Sequence, residues 1–186
     1  MRDEKPSVED SSFAFFTRDE ATAVRAAMAR IFPDDDLGPG ALQAGTITYL
    51  DRSLAGADRD LQGLYRGGIR LLDDAAQSRH GDAFVGCTPL QQDAMIAAME
   101  AGTLFAPGSA PAAVAFFAAL RAHTIEGMFS DPVHGGNRDF AGWRLLGYPG
   151  PQPSYSHAEQ QLDAAIVRDR IFSAADYPLP ASGEKA

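Results

Sequence analysis

At 186 residues, with 45% hydrophobic and 22% charged residues, the chain has the size and composition of one globular domain with a sizeable core. Its 25 acidic residues against 16 basic ones leave a net charge of −9, which argues against the basic footprint of a nucleic-acid binder. Its single cysteine, Cys87, excludes an internal disulfide, and no run approaches the roughly 18 apolar residues of a membrane span.

The opening, residues 1–12, is charged and polar and has no apolar core segment, so it reads as a disordered leader and not as a secretory signal. Phe13, Phe15 and Phe16 follow as an aromatic cluster. Thr17 with Glu20 forms a capping box, and Ala21, Val24, Met28, Ile31 and Phe32 recur at helical spacing. Pro33 stops that helix, because the residue before a proline is pushed out of the α region. Asp34, Asp35 and Asp36 then crowd a Gly/Pro turn, and the lack of alternating ligands makes it a solvated acidic loop, not a calcium site.

Leu42, Ile47, Tyr49, Leu50 and Leu54 predict a second helix that ends at Gly56. Asp58 is placed to cap a third, which carries Leu61, Leu64, Tyr65, Gly68, Leu71 and Leu72 on one face. The Gly67-Gly68 pair inside it predicts a kink or the close approach of another backbone. His80 suits the C-terminal end of this helix. Cys87 falls in the loop beyond and reads as a small buried residue. Thr88, Pro89 and Gln91 give the clearest start signal in the chain, for a helix with Leu90, Ala94, Met95, Ala98 and Met99 that ends at Gly102.

Ser109-Ala110-Pro111 opens the longest apolar helix, with Val114, Phe116, Phe117, Leu120, Thr124 and Met128 on more than one face, as suits a central helix. Ser156 and Glu159 predict a last short helix with Leu162, Ala165 and Ile166. Strand periodicity is absent nearly everywhere. The chain is therefore read as all-α: an irregular domain of about six to seven helices over residues 13–172, with long Gly/Pro-rich loops. Residues 173–186 form an extended tail that is flexible or wraps a partner.

The stretch from His123 to Gly150 mixes permissive, polar and aromatic residues more densely than any other and holds the only Trp. A chemical reading makes His123, Glu126, Asp131 and His134 the site of a metal-dependent enzyme, since His123 and Glu126 share a helix face. Di-iron bundles, however, use the reverse order and need further carboxylates on facing helices. Another reading is a free-standing helical module that binds a small ligand beside Trp143. The backbone reading has Ser130 and Asp131 bonding nearby N–H groups as a helix ends, Gly135-Gly136 supplying positive φ or close backbone approach, and Asp139 capping a short helix through Trp143 to Gly147. No phosphate loop or dinucleotide fingerprint is present. Trp, Tyr and Phe on such a segment also suit a docking surface.

These residues carry a resemblance. Gly127-Met128-Phe129-Ser130-Asp131-Pro132, His134-Gly135-Gly136-Asn137-Arg138, Gly142-Trp143 and Gly147-Tyr148-Pro149-Gly150 resemble the signature of the gluconate 2-dehydrogenase subunit 3 family. Phe15-Phe16-Thr17, the run from Pro33 to Ala41, Ala44-Gly45, Asp51-Arg52 and Leu54-Ala55-Gly56 are similar to the family's opening. The resemblance implies a non-catalytic small subunit with no cofactor of its own. It implies a large FAD-containing partner of the glucose-methanol-choline oxidoreductase type, and often a multihaem cytochrome c subunit that takes the electrons onward. It also implies a periplasmic, membrane-associated complex and help with export and maturation, although the twin-arginine signal typical of the family is not seen here. On this resemblance the interface candidates are Met128, Phe129, Asp131, His134, Gly135, Gly136, Asn137, Arg138, Trp143 and Tyr148.

Overall fold

The computed structural model describes residues 13–104, 110–163 and 170–177. Among them the chain forms six α-helices and no strand: α1 (Arg18–Ile31), α2 (Thr46–Ala55), α3 (Gln62–His80), α4 (Pro89–Glu100), α5 (Ala110–Phe129) and α6 (Ala141–Leu146). Short 3₁₀ turns at Arg59–Leu61, Phe84–Gly86, Pro132–His134, Arg138–Phe140 and Ala174–Asp176 join or follow them. The all-α expectation holds. No helix among the described residues is long and apolar enough to cross a membrane.

The start signals form as their chemistry demands. At α1 the Thr17 side chain accepts from the Glu20 N–H while Glu20 bonds back to the Thr17 N–H at 2.9 Å. Thr88 and Gln91 do the same at α4, with Pro89 at the first helical position. Each box satisfies two donors that a helix start would otherwise leave unpaired.

The core gathers around α5, which packs against α1, α2, α3, α4 and α6. Its inward face buries Phe116, Phe117, Leu120, His123, Thr124 and Met128, whereas Val114 and Ile125 stay partly exposed. Burying each large apolar side chain is worth about 1.5–3 kcal/mol. Tyr65 of α3 stands at the centre of this core, edge-on to Phe16 and to Phe116. Asp51 fastens the aromatic opening to it. Its buried carboxylate accepts the backbone N–H groups of Ala14, Phe15 and Phe16 at 2.7, 2.9 and 3.1 Å.

Several local expectations differ from what forms. Leu42 lies in the turn before α2 and not in the helix. Asp58 does not cap α3: a 3₁₀ turn comes first, and its carboxylate accepts from the Ser53 hydroxyl and faces His123. The glycine pair does not break α3, which runs through it. A Cβ on Gly68 would sit 2.1 Å from the ring of Phe116, while Gly67 borders open space. The close approach is thus of a side chain on α5, not of a backbone.

On α4 the core face is Gln92, Met95, Ile96 and Met99, and Leu90 and Ala94 point to solvent. Ser156 and Glu159 form their capping bonds, but residues 157–160 make turns and Leu162 is fully exposed. The expected leader, the Ser109 start signal, Ala165 and Ile166, and the tail from residue 178 lie outside the described residues. Ser173–Tyr177, assigned from sequence to the tail, pack against the domain: Ser173 is buried and the Ala174 N–H donates to Asp131 Oδ2 at 2.7 Å.

Candidate functional site

The segment after α5 is built around Asn137, which is completely buried. Its backbone N–H donates to the Gly127 carbonyl at 2.7 Å and its side-chain amide donates to the Ser130 carbonyl at 2.8 Å. Its Oδ1 accepts the Gly142 N–H at 2.9 Å. One asparagine therefore ties the end of α5 to the start of α6. The next N–H, of Arg138, donates to the Ala44 carbonyl and adds the loop before α2. Gly136 makes this possible, because a Cβ there would lie 2.2 Å from the Gly127 oxygen.

Three non-glycine residues in this turn take left-handed backbone angles: Asn137 (φ 48°), Asp139 (φ 54°) and Phe140 (φ 58°). Asn and Asp tolerate this region, but for Phe140 it costs about 1–2 kcal/mol. The cost is offset by packing. Phe140 stacks on Trp143 at 5.6 Å, and Trp143 meets Tyr148 edge-on at 5.0 Å. The Trp143 indole N–H donates to the Phe129 carbonyl at 2.7 Å, closing the end of α5.

This places the ten interface candidates. Met128, Gly136, Asn137 and Trp143 are buried within the chain and shape the surface from beneath. Asp131 accepts from the Val133 and Ala174 N–H groups, and Gly135 turns against Arg52. His134, Arg138 and Tyr148 are exposed, and Phe129 is half-buried at the edge of a cleft. Asp139 does not cap α6 as the sequence suggested: Phe140 takes the N-cap position without a side-chain bond, and the Gly142 N–H is met by Asn137 Oδ1. Of Ser130 and Asp131, only Asp131 bonds a nearby N–H; the Ser130 hydroxyl is buried without a partner among the described residues.

The four residues of the metal reading do not come together. His123 is buried, with the Tyr65 hydroxyl 2.7 Å from Nδ1 and Asp58 3.5 Å from Nε2. Glu126 accepts from the Tyr49 hydroxyl at 2.9 Å. His134 lines a hollow with Tyr49, Arg52 and Ser53. Among the described residues no group of three His, Cys, Asp or Glu is arranged to hold a metal ion. Burial, and then the Glu126 and Asp58 carboxylates, push the Tyr65 phenol well above the ordinary tyrosine value. Burial first, then Glu126 and then Asp58, push the Tyr49 phenol up to about 12. Cys87 is buried, and its thiol is pushed up by burial, then by Asp82 and Asp73, the opposite of an activated nucleophile.

The feature that sequence reasoning missed is an open apolar cleft of about 580 Å³. Phe32 and Phe129 form part of its lining, edge-to-face at 5.8 Å. One wall comes from Leu37, Gly38 and Pro39, the other from Ala141, Arg144, Leu145 and Leu146. Leu37 is 85% exposed and Leu146 65%. A leucine directly after three aspartates was the available signal, since a turn that needs only solubility has no use for it.

A family model described as gluconate 2-dehydrogenase subunit 3 matches residues 18–150, most of the chain. No curated protein and no solved structure matches it.

Proposed function

Because the chain belongs to the gluconate 2-dehydrogenase subunit 3 family, we propose that it is the non-catalytic small subunit of a flavin-dependent sugar or sugar-acid dehydrogenase. By its name the family is one subunit of a multi-subunit dehydrogenase. In this reading the chain binds the FAD-containing large subunit, of the glucose-methanol-choline oxidoreductase type, stabilises it and assists its maturation or export. FAD resides in that partner. Haem c belongs to a multihaem cytochrome subunit that passes the electrons on, and the assembly works at the membrane on the periplasmic side.

One observation carries the reading. Two of the stretches that carry the family resemblance, around residues 33–41 and 127–150, are far apart in sequence yet both contribute to the lining of the same apolar cleft. Exposed leucines on both walls suit a surface that another protein covers. Two polar residues of the signature, Asp131 and Asn137, bond backbone groups and so help to hold this surface in shape.

Co-expression with an FAD-containing large subunit of the glucose-methanol-choline type tests the reading. The two should co-purify as a stable complex, while the isolated chain shows no flavin absorbance. Oxidation of a sugar by the isolated chain with a dye acceptor would refute it.

A further inference from the structure

We propose that the cleft between Leu37 and Leu146 grips an apolar strip of the flavoprotein subunit that carries a Lys or Arg at one end and an Asp or Glu at the other. This inference rests on the accessory-subunit reading and adds the chemistry of the contact.

The turn that presents Leu37 is locked in place. The Asp35 and Gly38 backbones exchange hydrogen bonds at 3.2 and 3.1 Å, and Asp35 Oδ1 also accepts the Leu37 N–H at 2.8 Å. The turn packs against the opposite wall so closely that a Cβ on Gly38 would lie 2.5 Å from a Leu145 methyl. A rigid turn thus holds a leucine out in water. Such an anchor loses little conformational entropy when a partner covers it, which favours tight binding.

Charge gives the occupant its direction. Asp34, Asp35 and Asp36 are all exposed on the Leu37 side, and no basic residue lies between Arg30 and Arg52. Asp34 and Asp35 bond the turn's backbone, and Asp36 takes no part in holding it. The other wall carries exposed Arg144, with exposed Arg138 and Asp139 beside it, so this edge keeps a net positive charge; Arg144 Nε donates to the Asp139 carbonyl at 3.0 Å. An acidic lip and a basic lip on either side of an apolar floor match an apolar strip with opposite charges at its two ends. A second copy of this chain fits the acidic lip poorly, since its own surface carries a net charge of −9.

The test measures binding of the purified chain to the FAD-containing large subunit by biolayer interferometry. The wild type is compared with Leu37→Ser, Leu146→Ser and Asp36→Lys, and circular dichroism melts check that each variant is folded. Both serine variants sit at exposed positions, so they should melt with the wild type and bind about tenfold more weakly or worse. Asp36→Lys should bind more weakly and with less dependence on salt. A wild-type chain that does not bind the flavoprotein sinks the accessory-subunit reading itself. Wild-type binding that both folded serine variants retain undiminished sinks the cleft alone. A wild-type dimer that the serine variants dissociate would make a second copy the occupant and overturn the proposal.

Discussion

Asp51 carries a carboxylate into a position only 5% exposed and uses it to hold three consecutive N–H groups of the aromatic opening. Replacement by alanine leaves those donors without an acceptor, so Asp51→Ala should cost about 2–4 kcal/mol, read by urea melts followed by circular dichroism. The tyrosines give a second expectation at this scale. Below pH 10, the ordinary tyrosine value, Tyr49 and Tyr65 keep their protons in both folded and unfolded chains, and pH has no effect through them. From pH 10 to about 12 the unfolded chain releases protons that the folded chain retains, so stability falls as pH rises. A spectrophotometric titration should therefore show two of the five tyrosines resisting ionisation until about pH 12 or until unfolding. Neither role was legible in the sequence. Asp51 meets residues more than 30 positions away, and Tyr65 meets His123 across 58. Side-chain periodicity places such residues on a face but does not say what faces them.

The helices show where local signals suffice. Thr17 with Glu20, and Thr88 with Pro89 and Gln91, announce their helices because the cap and its partner lie within one turn. The same logic fails at Ser156, where the capping bonds form but the described residues that follow bury no apolar face. It also fails at α6, whose N-cap Phe140 makes no side-chain bond and whose Gly142 N–H is accepted by Asn137, five residues earlier. The glycine pair of α3 separates propensity from packing. Gly67→Ala borders open space and should stabilise the fold by about 0.5–1 kcal/mol. Gly68→Ala drives a methyl into the Phe116 ring and should cost about 2 kcal/mol or more. Parallel thermal melts of the two variants check the opposite signs. Equal effects would mean that α3 and α5 do not approach as closely as described.

Over the whole molecule, the all-α class was readable because apolar residues recur at helical spacing through most of the chain. The central place of α5 was readable from its length and apolarity. The cleft was not, because it needs the turn around Leu37 and the short helix around Leu146 to meet across about 100 residues. The interface candidates drawn from the family resemblance lie next to this cleft, but they include buried supports such as Asn137 and Trp143 and leave out the exposed Leu37 and Leu146. Glycines and buried polar residues dominate a signature when they fix a shape, and the residues that use the shape lie elsewhere. On the proposed reading this face docks the flavoprotein subunit. Amide hydrogen exchange of the chain, alone and with that subunit, tests it most directly. Protection should appear on binding in residues 33–41 and 138–148, with the outer end of α4 around Leu90 unchanged. Binding that leaves both of those stretches exchanging as in the free chain would contradict the account.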